Sequence, residues 1–294
     1  MAEDLIAIAS PALSARINPV GAELWSLTDR DGREYMTDAD PAFWTGHAPI
    51  LFPIVGILNG GRYRLDGREY ALAKHGFART SRFAVVETQS DRASFRLTDS
   101  AETRAAYPFA FTLELEFRLA AATLHVVATV RNRDARAMPF SFGFHPAFAW
   151  PLPGGADKAA HRVVFACDEP APIRRIDVAS GLLLPEPEPS PVVGNVLDPD
   201  RDQFVADAMI FDRLDSRALA FGAEGGAWID LAFPDCPFLG IWQKPGAAYL
   251  ALEPWHGIND PVGFAGDFRD KPGVVELAPR AEARFRLDVT VRPA

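Results

Sequence analysis

Apolar and polar residues alternate along much of this chain. Phe111, Leu113, Leu115, Phe117 and Leu119 are interleaved with Thr112, Glu114, Glu116 and Arg118, and Leu124, Val126, Ala128 and Val130 follow after a short break. Near the end, Phe285, Leu287, Val289 and Val291 alternate with Arg286, Asp288, Thr290 and Arg292. A period of two with one apolar face marks half-buried strands of antiparallel sheets. Less regular strands are predicted at Leu5–Ala9, Leu13–Ile17, Glu23–Thr28, Arg62–Leu65, Arg82–Glu87, Ala93–Thr98, Met138–Phe142, Arg162–Phe165, Leu219–Phe221, Trp228–Phe233, Phe238–Gln243 and Tyr249–Glu253. Helical spacing is confined to Ala101–Ala106 and Pro41–Phe43. So many short strands imply an all-β protein, a large antiparallel β-sandwich of two sheets packed face to face. The acidic, proline-dense stretch from Leu184 to Pro191 reads as an extended surface loop, so residues 1–294 are expected to form a single domain.

Composition narrows the function. The chain has 294 residues and 48% hydrophobic residues, enough for a sizeable core. A net charge of −9 without a basic block argues against nucleic acid as a partner. No apolar run is long enough to span a membrane, and the acidic start Met1-Ala2-Glu3-Asp4 lacks a secretory pattern, so a cytoplasmic protein is expected. Cys167 and Cys236 are too few for a disulfide framework and read as two buried thiols. No HExxH or CxxC spacing, dinucleotide fingerprint, phosphate-binding loop or GxSxG elbow is present, so neither metal nor cofactor is expected.

Three segments concentrate chemistry. Ala251-Leu252-Glu253-Pro254-Trp255-His256-Gly257 sets a carboxylate at the end of an apolar strand, beside an indole that could carry a sugar ring. Gly143-Phe144-His145-Pro146 places a histidine among apolar residues, where it could serve as a proton donor. Lys74-His75-Gly76-Phe77-Ala78-Arg79 pairs a histidine with a permanently charged arginine. Trp242 is a second candidate platform. His47 and His256 could line a cleft; His125 falls on the solvent face of its strand, and His161 reads as a loop residue.

Together with Trp44 and Ala48-Pro49-Ile50-Leu51-Phe52-Pro53, these segments resemble the aldose 1-epimerases, the galactose mutarotase-like family, and within it the branch carrying an HGFAR segment. The resemblance runs from about Trp44 to Lys271-Pro272-Gly273. It implies a β-supersandwich with the sugar in a cleft on one sheet. It assigns Glu253 as the general base at the anomeric hydroxyl and His145 as the general acid at the ring oxygen, with His75 and Arg79 holding the ring. An aspartate that binds sugar in many mutarotases would be Asp207 or Asp212. Lys74 and Gly76 stand where galactose mutarotases have an asparagine-rich segment.

The activity this implies is interconversion of α and β anomers of a hexose or hexose derivative, with the acid and base on opposite sides of the ring. The substrate would be a free monosaccharide or a sugar phosphate, and the protein a monomer or homodimer. The alternative is a non-catalytic carbohydrate-binding or sensing module. A glycoside hydrolase or lyase would need a second carboxylate, for which Asp260 is the candidate.

Overall fold

The computed structural model describes residues 5–294; Met1–Asp4, and with them the reading of the N-terminal segment, lie outside the described residues. Two large sheets dominate. One has nine strands; its centre is formed by Phe111–Ala120, Thr123–Asn132 and Glu282–Arg292, the segments with the clearest alternation. Their inward residues are buried, and ladder partners such as Leu124 and Leu119 or Val126 and Leu287 keep apolar residues opposite apolar ones.

The second sheet has six strands. Its spine is Tyr249–His256, flanked on one side by Phe238–Trp242 and on the other by Phe142–Phe144 and Ala147–Ala149. A three-stranded sheet, Ile6–Ala9, Leu13–Asn18 and Glu23–Asp29, and two two-stranded pairs, one the hairpin Arg62–Leu65 with Arg68–Ala71 and the other Met138–Phe140 with Val275–Leu277, complete the assembly. One apolar core draws residues from Ile8 to Val291, and all strand pairs in the ladders are antiparallel. Phe142, Phe144, Leu239, Ile241, Leu250 and Leu252 of the six-stranded sheet belong to this core. The opposite face of that sheet carries only two small apolar clusters, one around Trp255 and Ile258, the other around Tyr249 and Ala251. Between these clusters lies a cleft.

Several predicted elements change. Met138–Phe142 divides at Ser141 into Met138–Phe140 and Phe142–Phe144, which pair with different partners. Ala101–Ala106 is the one α-helix among the described residues, capped by Ser100 and Thr103, whereas Pro41–Phe43 is a turn. Cys236 is buried but Cys167 is exposed, contrary to the expectation of two buried thiols; both are free. The proline-dense stretch is a surface loop, tied back by the ion pair between Arg175 and Glu188 and by Arg174 donating to Leu184. Among the described residues, no helix is long and apolar enough to cross a membrane.

Candidate active site

The spine strand does not stop at Glu253, as the apolar run suggested, but continues through Pro254 to His256. Leu252 N–H donates to the Pro146 carbonyl, and two residues on, the missing N–H of Pro254 falls on the same side. There the neighbouring chain breaks its ladder between Phe144 and Ala147, so the proline costs no hydrogen bond. Residue 143 pairs with 255 and residue 147 with 251, a register that puts His145 directly opposite Glu253. Both lie on the cleft face. Cross-strand neighbours on one face approach to about 5 Å between Cβ atoms, close enough for side chains to touch.

They do touch. His145 Nε2 lies 3.0 Å from Glu253 Oε2. Acid and base are thus in direct contact rather than on opposite sides of a ring, which corrects that expectation. The register supplies the structural reason for the contact. Burial lowers the pKa of His145 to about 3, with Arg79 and Lys74 lowering it further. Burial also raises Glu253 well above the usual carboxylate range, with Asp207 adding to the rise and Lys74, Trp255 and Arg79 working against it. Both shifts favour the neutral forms of the two buried groups, an arrangement in which they carry one proton between them.

Trp255 makes the floor of the cleft. Its indole fits because the flanking strands have glycine beside it. A Cβ on Gly240 would stand 2.6 Å from the far edge of the ring, and one on Gly143 would stand 2.7 Å from its near edge. Trp44 stacks on His145 with ring centres 5.0 Å apart and meets Trp242 edge-on at 5.6 Å.

His75 is held in an unusual way. Its backbone adopts φ of 67°, in the left-handed region that non-glycine residues seldom occupy. Two bonds fix it there: His75 N–H donates to the Gly56 carbonyl at 2.8 Å, and Gly56 N–H donates to His75 Nδ1 at 3.1 Å. Because Nδ1 accepts, the proton of the neutral ring sits on Nε2, which becomes the donor His75 can offer to the cleft. Burial first, then the nearby His145, Lys74, Arg79 and Lys271, keep this ring neutral. Gly56, which reads in sequence as part of a simple turn, is thus the clasp for His75. It has no room for a side chain, since a Cβ would meet Asn259 at 2.3 Å.

The cavity over this floor measures about 260 Å³, near the lower end of the range for small-molecule sites and suited to a single sugar unit. All seven residues singled out from sequence line it: His75, Arg79, His145, Asp207, Trp242, Glu253 and Trp255. Of the two candidate aspartates, Asp207 is in the cavity, whereas Asp212 pairs with Arg174 outside it. Lys74, Trp44 and Asn259 also line it, beyond the residues that the sequence points to as a site. Lys74 and Trp44 stood inside the quoted motifs; Asn259 had no local signal. Asp260 does not line the cavity: it lies 3.0 Å from the Lys271 ammonium and accepts from Asn59 N–H. His47 stacks on Trp25, His256 bonds the Gly273 carbonyl and His125 bonds Asp288; none of them lines the cavity. His161 is buried, accepting from Leu152 N–H. Among the described residues no three metal-capable side chains cluster.

The profile of the aldose 1-epimerase family matches residues 4–221. The chain belongs to the aldose 1-epimerase family. That match ends before Glu253, but likeness to solved structures extends over nearly the whole chain. A galactose mutarotase related enzyme from Lactobacillus acidophilus superposes with a TM-score of 0.90 at 29% identity, covering 98% of this chain and 97% of the other. A galactose mutarotase-like protein from Lactobacillus casei gives 0.89 at 30% identity, with 98% and 100% covered. Protein LacX of Lactococcus lactis is 31% identical over 288 residues, 95% of this chain and 96% of its own. The fold is therefore the galactose mutarotase-like sandwich, as the resemblance implied; the strand pattern alone gave an antiparallel β-sandwich.

Proposed function

We propose that this family member is an aldose 1-epimerase, interconverting the α and β anomers of a hexose or hexose derivative. The observation that carries the reading is the His145–Glu253 contact on the floor of a cavity the size of one sugar ring. Ring opening removes a proton from O1 and adds one to O5. Both oxygens are bonded to the same carbon, C1, so acid and base need to be neighbours rather than partners across the ring. A directly paired carboxylate and imidazole meets that need.

Glu253 takes the O1 proton and His145 gives one to O5; the C1–O5 bond breaks and C1=O1 forms. The open aldehyde turns about C1–C2. Closure on the other face then runs in reverse, with protonated Glu253 returning a proton to O1 and neutral His145 accepting one from O5. The cycle thus alternates between two arrangements of one shared proton. Burial favours the neutral arrangement in the free cleft, which is the one ready for ring closure. Transfer across 3.0 Å gives the other.

Trp255 and Trp242 offer apolar faces for the C–H surface of the ring. His75 and Asp207 supply a donor and an acceptor for hydroxyls. Exchange NMR on equilibrated aldoses tests the reading: enzyme should produce cross-peaks between α and β anomers above the uncatalysed rate. A panel of hexoses and hexose derivatives that shows none would leave a carbohydrate-binding module as the better account.

A further inference from the structure

We propose that the buried pair Lys271–Asp260 is a positioning device for His75, acting on the sugar site through the loop that carries Gly56. The proposal rests on the epimerase reading for the role of His75 and deepens it by naming residues outside the cavity on which that role depends. Neither Lys271 nor Asp260 lines the cleft, and the proton transfers give neither of them a task.

Lysine and aspartate seldom sit out of reach of water. Here the Lys271 ammonium lies 3.0 Å from Asp260 Oδ1, and the two side chains are 0% and 3% exposed. A buried ion pair is a weak source of stability, because the loss of hydration offsets the attraction, so its use lies in the geometry it fixes. Asp260 grips the loop that runs past Gly56. Its Oδ2 accepts from Asn59 N–H at 2.9 Å, and its own N–H donates to the Ile57 carbonyl at 2.9 Å. The adjacent Asn259 lies against Gly56, where a Cβ would meet its side chain at 2.3 Å, and donates to the Gly181 carbonyl at 2.7 Å. The loop is thereby held from one side by Asn259 and Asp260 and from the other by His75, which exchanges two hydrogen bonds with Gly56. Lys271 stands behind Asp260, and its segment has anchors of its own. His256 Nδ1 bonds the Gly273 carbonyl at 2.9 Å, and a Cβ on Gly273 would stand 2.9 Å from the Gly257 backbone.

The consequence falls on one hydrogen. Gly56 N–H must point at Nδ1 for the neutral His75 ring to carry its hydrogen on Nε2. A loop free to tilt would let Nδ1 take that hydrogen, and His75 would then offer the sugar an acceptor in place of a donor. The Lys271 charge also reaches His75 and helps to keep the ring neutral.

The test uses the whole chain as wild type, Lys271→Met and Asp260→Asn, each also combined with His75→Asn. Nitrogen-15 NMR of the histidine rings reads the tautomer, with the His75 signals identified by their absence in His75→Asn. Anomer exchange and thermal melting are recorded on the same samples. Wild type should show His75 with Nδ1 bare and Nε2 protonated. In each single variant, below its melting temperature, that pattern should give way to a mixture of tautomers, and KM should rise about tenfold with kcat unchanged, as expected for a lost binding contact. In the His75→Asn background the same substitutions should cost less than about twofold, because the group they act through is gone. If a single variant does not fold, the double variant Lys271→Met with Asp260→Asn, which leaves neither charge buried, takes its place. A melting temperature that falls while tautomer and KM stay as in wild type would make the pair purely structural and overturn the proposal. So would a full loss added on top of His75→Asn, or a wild-type ring with its hydrogen on Nδ1. The two readings fail separately: absence of exchange with every sugar removes the epimerase, and the tautomer pattern still decides the role of the pair.

Discussion

Glu253 and His145 are each buried ionisable groups that would be costly alone and that offset each other as a pair. Glu253→Gln keeps the shape and the contact but cannot hold the transferable proton. We expect anomer exchange to fall roughly 10²–10⁴-fold with sugar affinity largely retained; a variant with more than half the wild-type rate would remove Glu253 from proton transfer. The pair also sets the pH profile. His145 is pushed down to about 3 and Glu253 is raised above the usual carboxylate range, so no ordinary histidine titration is expected in the free site. A profile of kcat/KM against pH should therefore lack an acid limb near 6.5, the ordinary histidine value, and such a limb would contradict the pairing. His75→Asn should fold, because asparagine tolerates the left-handed backbone and its Oδ1 can accept from Gly56 N–H. Loss of the Nε2 donor should lower kcat/KM about tenfold, the worth of one hydrogen bond near 1.4 kcal/mol. The identities of these residues were legible because glycine, proline and aromatic neighbours flagged them. Their contact was not, because it depends on a register between residues 108 positions apart (253 − 145).

Among the elements, the strand Tyr249–His256 does the positioning, and its neighbours are adapted to it. Gly240 and Gly143 are glycine because the Trp255 indole occupies the space a side chain would take. Gly240→Ala should overpack that contact by about 1–3 kcal/mol. The expected result is a lower unfolding midpoint and loss of exchange activity; a variant matching wild type in both would show that the indole is not fixed by its flanks. Long alternating strands such as Phe111–Ala120 were readable because one face is buried and the other wet. Tyr249–His256 was cut short because seven of its eight residues are buried and a proline interrupts the pattern. In that strand both faces are covered, one by the core and one by the cleft's aromatic walls, so alternation cannot report its length.

Over the whole molecule, burial of histidines couples stability to acid. His47 is pushed down to about 4, His145 to about 3, and His75 and His161 are also lowered, chiefly by burial. The stabilising share of these four is complete above 6.5 and is lost as the pH falls through their folded values. Glu23 and Glu253, raised by burial, act in the opposite sense: their share is complete below 4.5 and is lost as the pH rises through their folded values. Four groups against two leave a net loss on acidification, about 1.4 kcal/mol per pH unit for each net proton. The thermal midpoint should be lower at pH 5 than at pH 7; an unchanged or higher midpoint would mean these histidines titrate normally. One apolar core draws residues from Ile8 to Val291, so the acid response is expected to be shared along the chain.

The most direct measurement of the central claim is two-dimensional exchange NMR on a hexose panel that includes the 6-phosphates and uronates, with wild type beside Glu253→Gln. The account requires α–β cross-peaks with wild type, for at least one sugar, at a rate above that of buffer, and their loss in the variant while the sugar still binds. Exchange that persists in the variant, or a sugar that binds wild type tightly without any exchange, would contradict it.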